Sequence, residues 1–139
     1  MPAPHERTSP TPGLGIRQAV ITLPEEIDMS NVSQVHGILA RALDDGAAVL
    51  VADAARTMFC DSATITMLLR AHNRAAATGA ELRIAASPPI WRVLELTGAD
   101  RILHVYRTVA AALAAPPHPD GQASAFPLSP DGMADPAIQ

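Results

Sequence analysis

The chain is 139 residues long, 48% hydrophobic and 17% charged, which fits one compact domain with a real core and excludes a disordered polypeptide. Aromatic residues make up only 3%, so the core is aliphatic; the formal charge of −4 provides no basic footprint for nucleic acid, and the short, charge-interrupted apolar runs exclude a membrane span. The opening Met1-Pro2-Ala3-Pro4-His5-Glu6 lacks the apolar stretch of a signal peptide, and the lone Cys60 cannot form an internal disulfide, so a cytoplasmic protein in a reducing compartment is expected.

Residues 1–12 contain four prolines and residues 116–139 contain six, with no sustained apolar period in either segment. Such segments bury too little apolar surface to offset their ordering entropy. A disordered N-terminal arm (1–12) and a disordered Pro-rich tail (116–139) are therefore expected around a folded domain at 13–115. That domain holds nine Arg against ten Asp and Glu, close to neutral, while the tail adds three Asp and no base. All basic residues are Arg and Ala is abundant, a bias that points to a GC-rich source genome and says nothing of function.

Within the domain, Gln18 to Leu23 is rich in β-formers and reads as a strand that Pro24-Glu25-Glu26 ends. Ser30 or Asn31 can cap a helix whose apolar positions Val32, Val35, Ile38, Leu39, Ala42 and Leu43 fit a 3.6 period, closed by Asp44-Asp45-Gly46. Ala47 to Ala52 is a second strand, and a helix beginning at Ser62 runs to about Thr78-Gly79, where glycine is the expected stop. Leu82 to Ala85 is a third strand. Ser87-Pro88-Pro89 places a cap and two first-turn prolines at the head of a helix that ends at Gly98. A last strand, Ile102 to Tyr106, precedes a final helix, Arg107 to Ala115. Strands alternating with helices predict right-handed crossovers and a largely parallel α/β sheet of about four strands.

The stretch from Ala48 to Arg74 carries the chemistry. A buried strand gives way to a turn, Asp61-Ser62, and then to helical spacing at Ile65, Leu68, Leu69 and His72. A serine at a helix start is by default an N-cap, and Asp61 by default a turn residue. The same place suits an anion, because the unpaired amides and the positive end of the helix dipole stabilise one there. Hydrolase chemistry would need a Gly-x-Ser-x-Gly elbow or a triad partner. The first is absent, and His36, His72 and His104 sit inside predicted elements with no assignable triad order. Those histidines and Cys60 also lack metal-ligand spacing, and no nucleotide-binding glycine pattern occurs. The reading is a non-enzymatic chain without metal or cofactor, in which Cys60 and Trp91 are packed side chains.

Phe59-Cys60-Asp61-Ser62-Ala63-Thr64-Ile65 resembles the phosphorylation-site turn of STAS domains, the anti-sigma-factor antagonist family, whose pattern is an apolar residue, Asp-Ser, a small residue and Gly-Leu-Gly. Pro24-Glu25-Glu26-Ile27-Asp28 resembles the Gly-Glu-Leu-Asp after that family's early strand. Ser87-Pro88-Pro89-Ile90-Trp91-Arg92-Val93-Leu94 through Leu96-Thr97-Gly98 resembles its later Ser-Pro segment. The three matches fall in order across nearly the whole folded part, with Thr64 and Thr66 standing where the family often has glycines. The resemblance implies that Ser62 accepts a phosphoryl group from ATP held by a partner, a serine kinase that is also an anti-sigma factor. It places Asp28, Met29, Ser30, Asp61, Ser62, Ala63 and Thr64 on the partner face. Unphosphorylated, such a chain binds the kinase and frees a sigma factor; phosphorylated, it lets go. The alternative is a non-phosphorylated STAS module serving as a structural subunit of a transporter or signalling assembly, from which a kinase gene beside this one would distinguish it.

Overall fold

The computed structural model describes residues 6–11 and 16–117. Its elements are β1 (Glu6–Thr11), β2 (Ile16–Thr22), β3 (Glu26–Ile27), α1 (Val32–Asp44), β4 (Val49–Ala54), β5 (Phe59–Cys60), α2 (Ser62–Ala77), β6 (Glu81–Ala86), α3 (Pro88–Thr97), a 3₁₀ turn (Ala99–Arg101), β7 (His104–Tyr106) and α4 (Val109–Ala114). The main sheet has the order β1-β2-β4-β6-β7. β2, β4, β6 and β7 are mutually parallel, with Val20 beside Val51, Val51 beside Arg83 and Arg83 beside His104. This is the α/β fold expected from the alternation of strand and helix.

β4 is the central strand, and it is apolar along almost its whole length because both of its faces are covered. Successive side chains of a strand point to opposite faces. Leu50, Ala52 and Ala54 accordingly join the large core beneath α1, α2 and α3, while Val49 and Val51 join Val20 and Ala85 under Ala112 of α4. α1 buries Val35, Leu39, Ala42 and Leu43, the face its 3.6 period marks out. α3 opens with the Ser87 side chain accepting from the Ile90 amide, carries Pro88 and Pro89 in its first turn, and stops at Gly98 in the left-handed conformation (φ 79°). α4 is held by Arg83, which is 1% exposed. Its guanidinium donates to the carbonyls of Ala112 (2.6 Å), Ala115 (2.9 Å) and Pro116 (3.1 Å) and pairs with Glu81 at 3.1 Å.

Three expectations differ from what is observed. Residues 6–11, placed in a disordered arm, form a strand antiparallel to β2 with Pro10 opposite Arg17. The open edge of β2 offers unpaired amides and carbonyls to any nearby extended segment, and an edge position tolerates a proline. Glu26, read with Pro24 and Glu25 as the stop after the first strand, instead joins Ile27 in pairing parallel with β5 as a separate two-stranded sheet. The last strand is confined to His104–Tyr106 because residues 99–101 form a 3₁₀ turn in which the Ala99 carbonyl accepts from the Ile102 and Leu103 amides. The expected tail lies, beyond Pro117, outside the described residues. Among the described residues no helix is long and apolar enough to cross a membrane.

Candidate functional site

The small sheet of β3 and β5 builds the site. Glu26 pairs with Phe59 and Ile27 with Cys60, which brings the turn after β3 against the turn before α2. The Ile27 carbonyl is the joint between them, accepting from the Asp61 amide at 3.3 Å and from the Thr64 hydroxyl at 3.2 Å. The Glu25 carbonyl accepts from the Met58 and Phe59 amides at 2.7 and 3.3 Å. Beneath this layer the buried Thr57 hydroxyl donates to the Pro24 carbonyl at 2.8 Å, and the buried Ser87 hydroxyl donates to the Thr57 carbonyl. Loops that follow β2, β4 and β6 are thus tied together, and buried hydrogen bonds of this kind are costly to leave unmade.

Asp61, and not Ser62, caps α2. Asp61 is extended (φ −101°, ψ −177°), and its carboxylate accepts from the Thr64 amide at 3.2 Å and the Thr64 hydroxyl at 3.3 Å. Asp and Ser are comparably good caps; β5 ends at Cys60, so Asp61 is the last extended residue and takes the role. Ser62 becomes the first helical residue. It is exposed, and its hydroxyl makes no hydrogen bond among the described residues.

The remaining residues expected on the partner face divide. The Asp28 carboxylate accepts from the Ser30 amide (2.9 Å) and hydroxyl, and these bonds hold it below the usual carboxylate range. Asn31 stands at the N-cap of α1, yet its side chain turns back, accepting from the Asp28 amide at 3.0 Å and donating to the Glu26 carbonyl at 2.9 Å. Met29 and Ser30 are exposed and Ala63 partly so. Thr64 is 2% exposed, so it cannot meet a partner. Where a glycine would leave the Ile27 carbonyl short of a bond, this threonine supplies one. Thr66 is exposed and donates to the Ser62 carbonyl at 3.4 Å.

Met58 and Phe59 are exposed here too, although the resemblance does not place them on the partner face. Met29, Met58 and Phe59 are 80%, 63% and 51% exposed, and of the exposed large apolar side chains among the described residues only Leu96 lies outside these two turns. Apolar groups gathered on a surface mark an interaction site far more than scattered ones do. The signal available was the chain's scarcity of aromatics: Phe59, one of two phenylalanines, sits beside a serine instead of in the core. Cys60 alternates inward, and burial, with the Asp61 charge second, raises its thiol pKa. It is a packed side chain. His72 and His104 face one another between α2 and β7 with ring centroids 5.6 Å apart. Among the described residues no group of three or more His, Cys, Asp and Glu could hold a metal ion.

Comparison with known proteins agrees with this architecture. A family model described as STAS domain matches residues 11–112. Among solved structures, an anti-sigma factor antagonist from Mycobacterium paratuberculosis is 23% identical with a TM-score of 0.61, covering 81% of this chain and 96% of that one. The anti-sigma factor antagonist SpoIIAA in its unphosphorylated form is 18% identical with a TM-score of 0.59, covering 78% and 93%. The Bacillus cell fate determinant SpoIIAA in its phosphorylated form is 19% identical with a TM-score of 0.56, covering 78% and 96%. At these identities the likeness is one of fold. No curated protein sequence matches the chain.

Proposed function

The chain belongs to the STAS domain family, and from that premise we propose that it is an anti-sigma-factor antagonist switched by phosphorylation of Ser62. In its unphosphorylated form it binds an anti-sigma factor that is also a serine kinase and so frees a sigma factor. The kinase holds the ATP, and the Ser62 hydroxyl takes the γ-phosphoryl group, giving up its proton as the serine ester forms and ADP leaves.

The observation that carries this reading is the division of roles at the head of α2. Asp61 satisfies one orphan amide of the first turn, that of Thr64, and the adjacent Ser62 hydroxyl is left exposed and uncommitted. Met29, Met58 and Phe59, in the segments that the β3–β5 pairing joins before α2, are exposed, surface that a partner would cover. A phosphate adds about −1.5 to −2 charge at neutral pH. At the N-terminus of α2 the fold tolerates it, since free amides and the helix dipole favour an anion by about 0.3–1 kcal/mol. Against a covering apolar surface, and next to the Asp61 carboxylate, the same charge is desolvated and unpaired, so the cost falls on the complex.

The test is incubation of the chain with ATP and an anti-sigma-type serine kinase from the same source, followed by intact mass and site mapping. One added phosphoryl group on Ser62, absent from Ser62→Ala, is the expected result. Unchanged mass, or modification of another residue, refutes the assignment.

A further inference from the structure

α1 and α2 lie side by side, and an open groove of about 380 Å³ runs between their first halves. Its floor is apolar, made of Val32 from α1 and of Ala63 and Met67 from α2. Its rim is polar: Ser33 and His36 on one helix, Thr66 and Arg70 on the other. Further along the same pair of helices Arg74 is bonded to Asp44 at 2.9 Å. The Arg70 guanidinium has no such partner; among the described residues it makes no ion pair and no hydrogen bond. Burial, then the charges of Arg70 and Arg74, lower the pKa of His36, so at neutral pH His36 is an uncharged donor and acceptor and the local positive charge is that of the arginines. The turns on the other side of Ser62 are acidic, with Glu25, Glu26, Asp28 and Asp61.

We propose that this groove receives an acidic segment of the protein that docks on the Ser62 face, a carboxylate meeting Arg70 and His36 while an apolar side chain covers Met67. The inference rests on the reading of that face as a partner surface. It follows from continuity and from charge. Ala63, in the groove, is the residue after Ser62, and Val32 and Ser33 follow directly on the Asp28–Asn31 turn, so a partner covering Ser62 passes into the groove without a gap. A basic segment is repelled by Arg70, and a wholly apolar one leaves its guanidinium desolvated and unpaired. A carboxylate beside an apolar residue meets both demands, because charge-assisted bonds from guanidinium to carboxylate are among the strongest a surface can make. Acidic turns on one side of Ser62 and a basic groove on the other also fix which way round the partner sits.

The test separates the groove from the switch. Two peptides of equal length and identical apolar residues, one with Glu and one with Lys at the charged positions, are titrated into the isotope-labelled full chain. The Glu peptide is expected to shift the amide resonances of Ser33, His36, Thr66 and Arg70, the Lys peptide to leave them in place, and Arg70→Glu to weaken the Glu peptide by about tenfold or more. In calorimetry against the kinase, Arg70→Glu should lose affinity by a similar factor while Ser62→Ala retains it. Equal shifts from both peptides, shifts confined to other surfaces, or wild-type binding by Arg70→Glu overturn the proposal. Resonances that move with protein concentration alone would mark a second copy as the occupant and overturn it too. If the wild type binds no kinase, the antagonist reading falls and the peptide titration decides the groove by itself.

Discussion

Asp61 and Ser62 are both residues that cap helices well, and the chain uses the first, which leaves the hydroxyl of the second idle at an exposed first turn. Asp61→Ala should therefore cost about 1 kcal/mol of stability, whereas Ser62→Ala should stay within about 0.5 kcal/mol of wild type; urea unfolding of both variants reads the difference directly. Equal losses would restore the cap to Ser62. Burial sets a second residue-scale effect at His72, which is 2% exposed and has no hydrogen-bond partner on Nε2. Burial, with the nearby His104 as the second cause, lowers its pKa from 6.5 to about 4. Between those two values the unfolded chain binds the extra proton and the folded chain does not. Stability is therefore full above pH 6.5 and falls as the pH drops toward 4, by up to about 1.4 kcal/mol per pH unit. His36, also lowered, acts in the same direction. Thermal melts across this window should show a clear slope for wild type and a flatter one for His72→Leu; parallel slopes would assign the acid sensitivity elsewhere.

At the scale of elements, the C-terminal end of α4 is tied down chiefly by one buried side chain. A six-residue helix of alanines, Val109 and Leu113 buries little and would be marginal alone; the Arg83 guanidinium binds three carbonyls at its end. Arg83→Met removes those donors and leaves Glu81 without this buried partner. A loss of about 3 kcal/mol or more is expected, with α4 amides exchanging faster than those of α2 in hydrogen exchange. Uniform protection would show that α4 holds by packing alone. Nothing in Glu81-Leu82-Arg83-Ile84-Ala85 announces this clamp, because an arginine in an apolar strand has no periodicity to reveal its partners. α1, α2 and α3 were legible because an amphipathic stripe recurs over ten residues or more, and their ends because Gly46, Gly79 and Gly98 take positive φ. β3 and β5 were not, since two residues carry no period and their pairing depends on chain distant in sequence. Met58 and Phe59 went unread for the same reason: their exposure is set by the β5 register and not by their apolar character.

For the whole molecule, alternation of strand and helix was enough to give a largely parallel sheet, because a right-handed crossover leaves few other arrangements; the order β2-β4-β6-β7 and the antiparallel β1 at its edge are set by pairings that no local pattern shows. The turn that carries Ser62 could be located from the change of period in the sequence. Its neighbours Asp28, Met29 and Ser30 followed from the family resemblance and from no periodicity, as they arrive through the Ile27 carbonyl and the Thr57 and Ser87 hydroxyls, contacts that join distant loops. This construction predicts a fold indifferent to charge at Ser62 and a complex that is not. Ser62→Asp, a partial mimic of the phosphate, should melt within a few degrees of wild type, as an anion at an exposed helix N-terminus is worth only about 0.3–1 kcal/mol. The decisive measurement is calorimetric titration of the kinase with wild type, Ser62→Ala and Ser62→Asp. Wild type and Ser62→Ala should bind alike, and Ser62→Asp should bind about tenfold or more weakly, the equivalent of about 1.4 kcal/mol or more. Equal affinity for all three would mean that Ser62 is only the first residue of α2, and the chain would then be a STAS module that assembles without a phosphate switch.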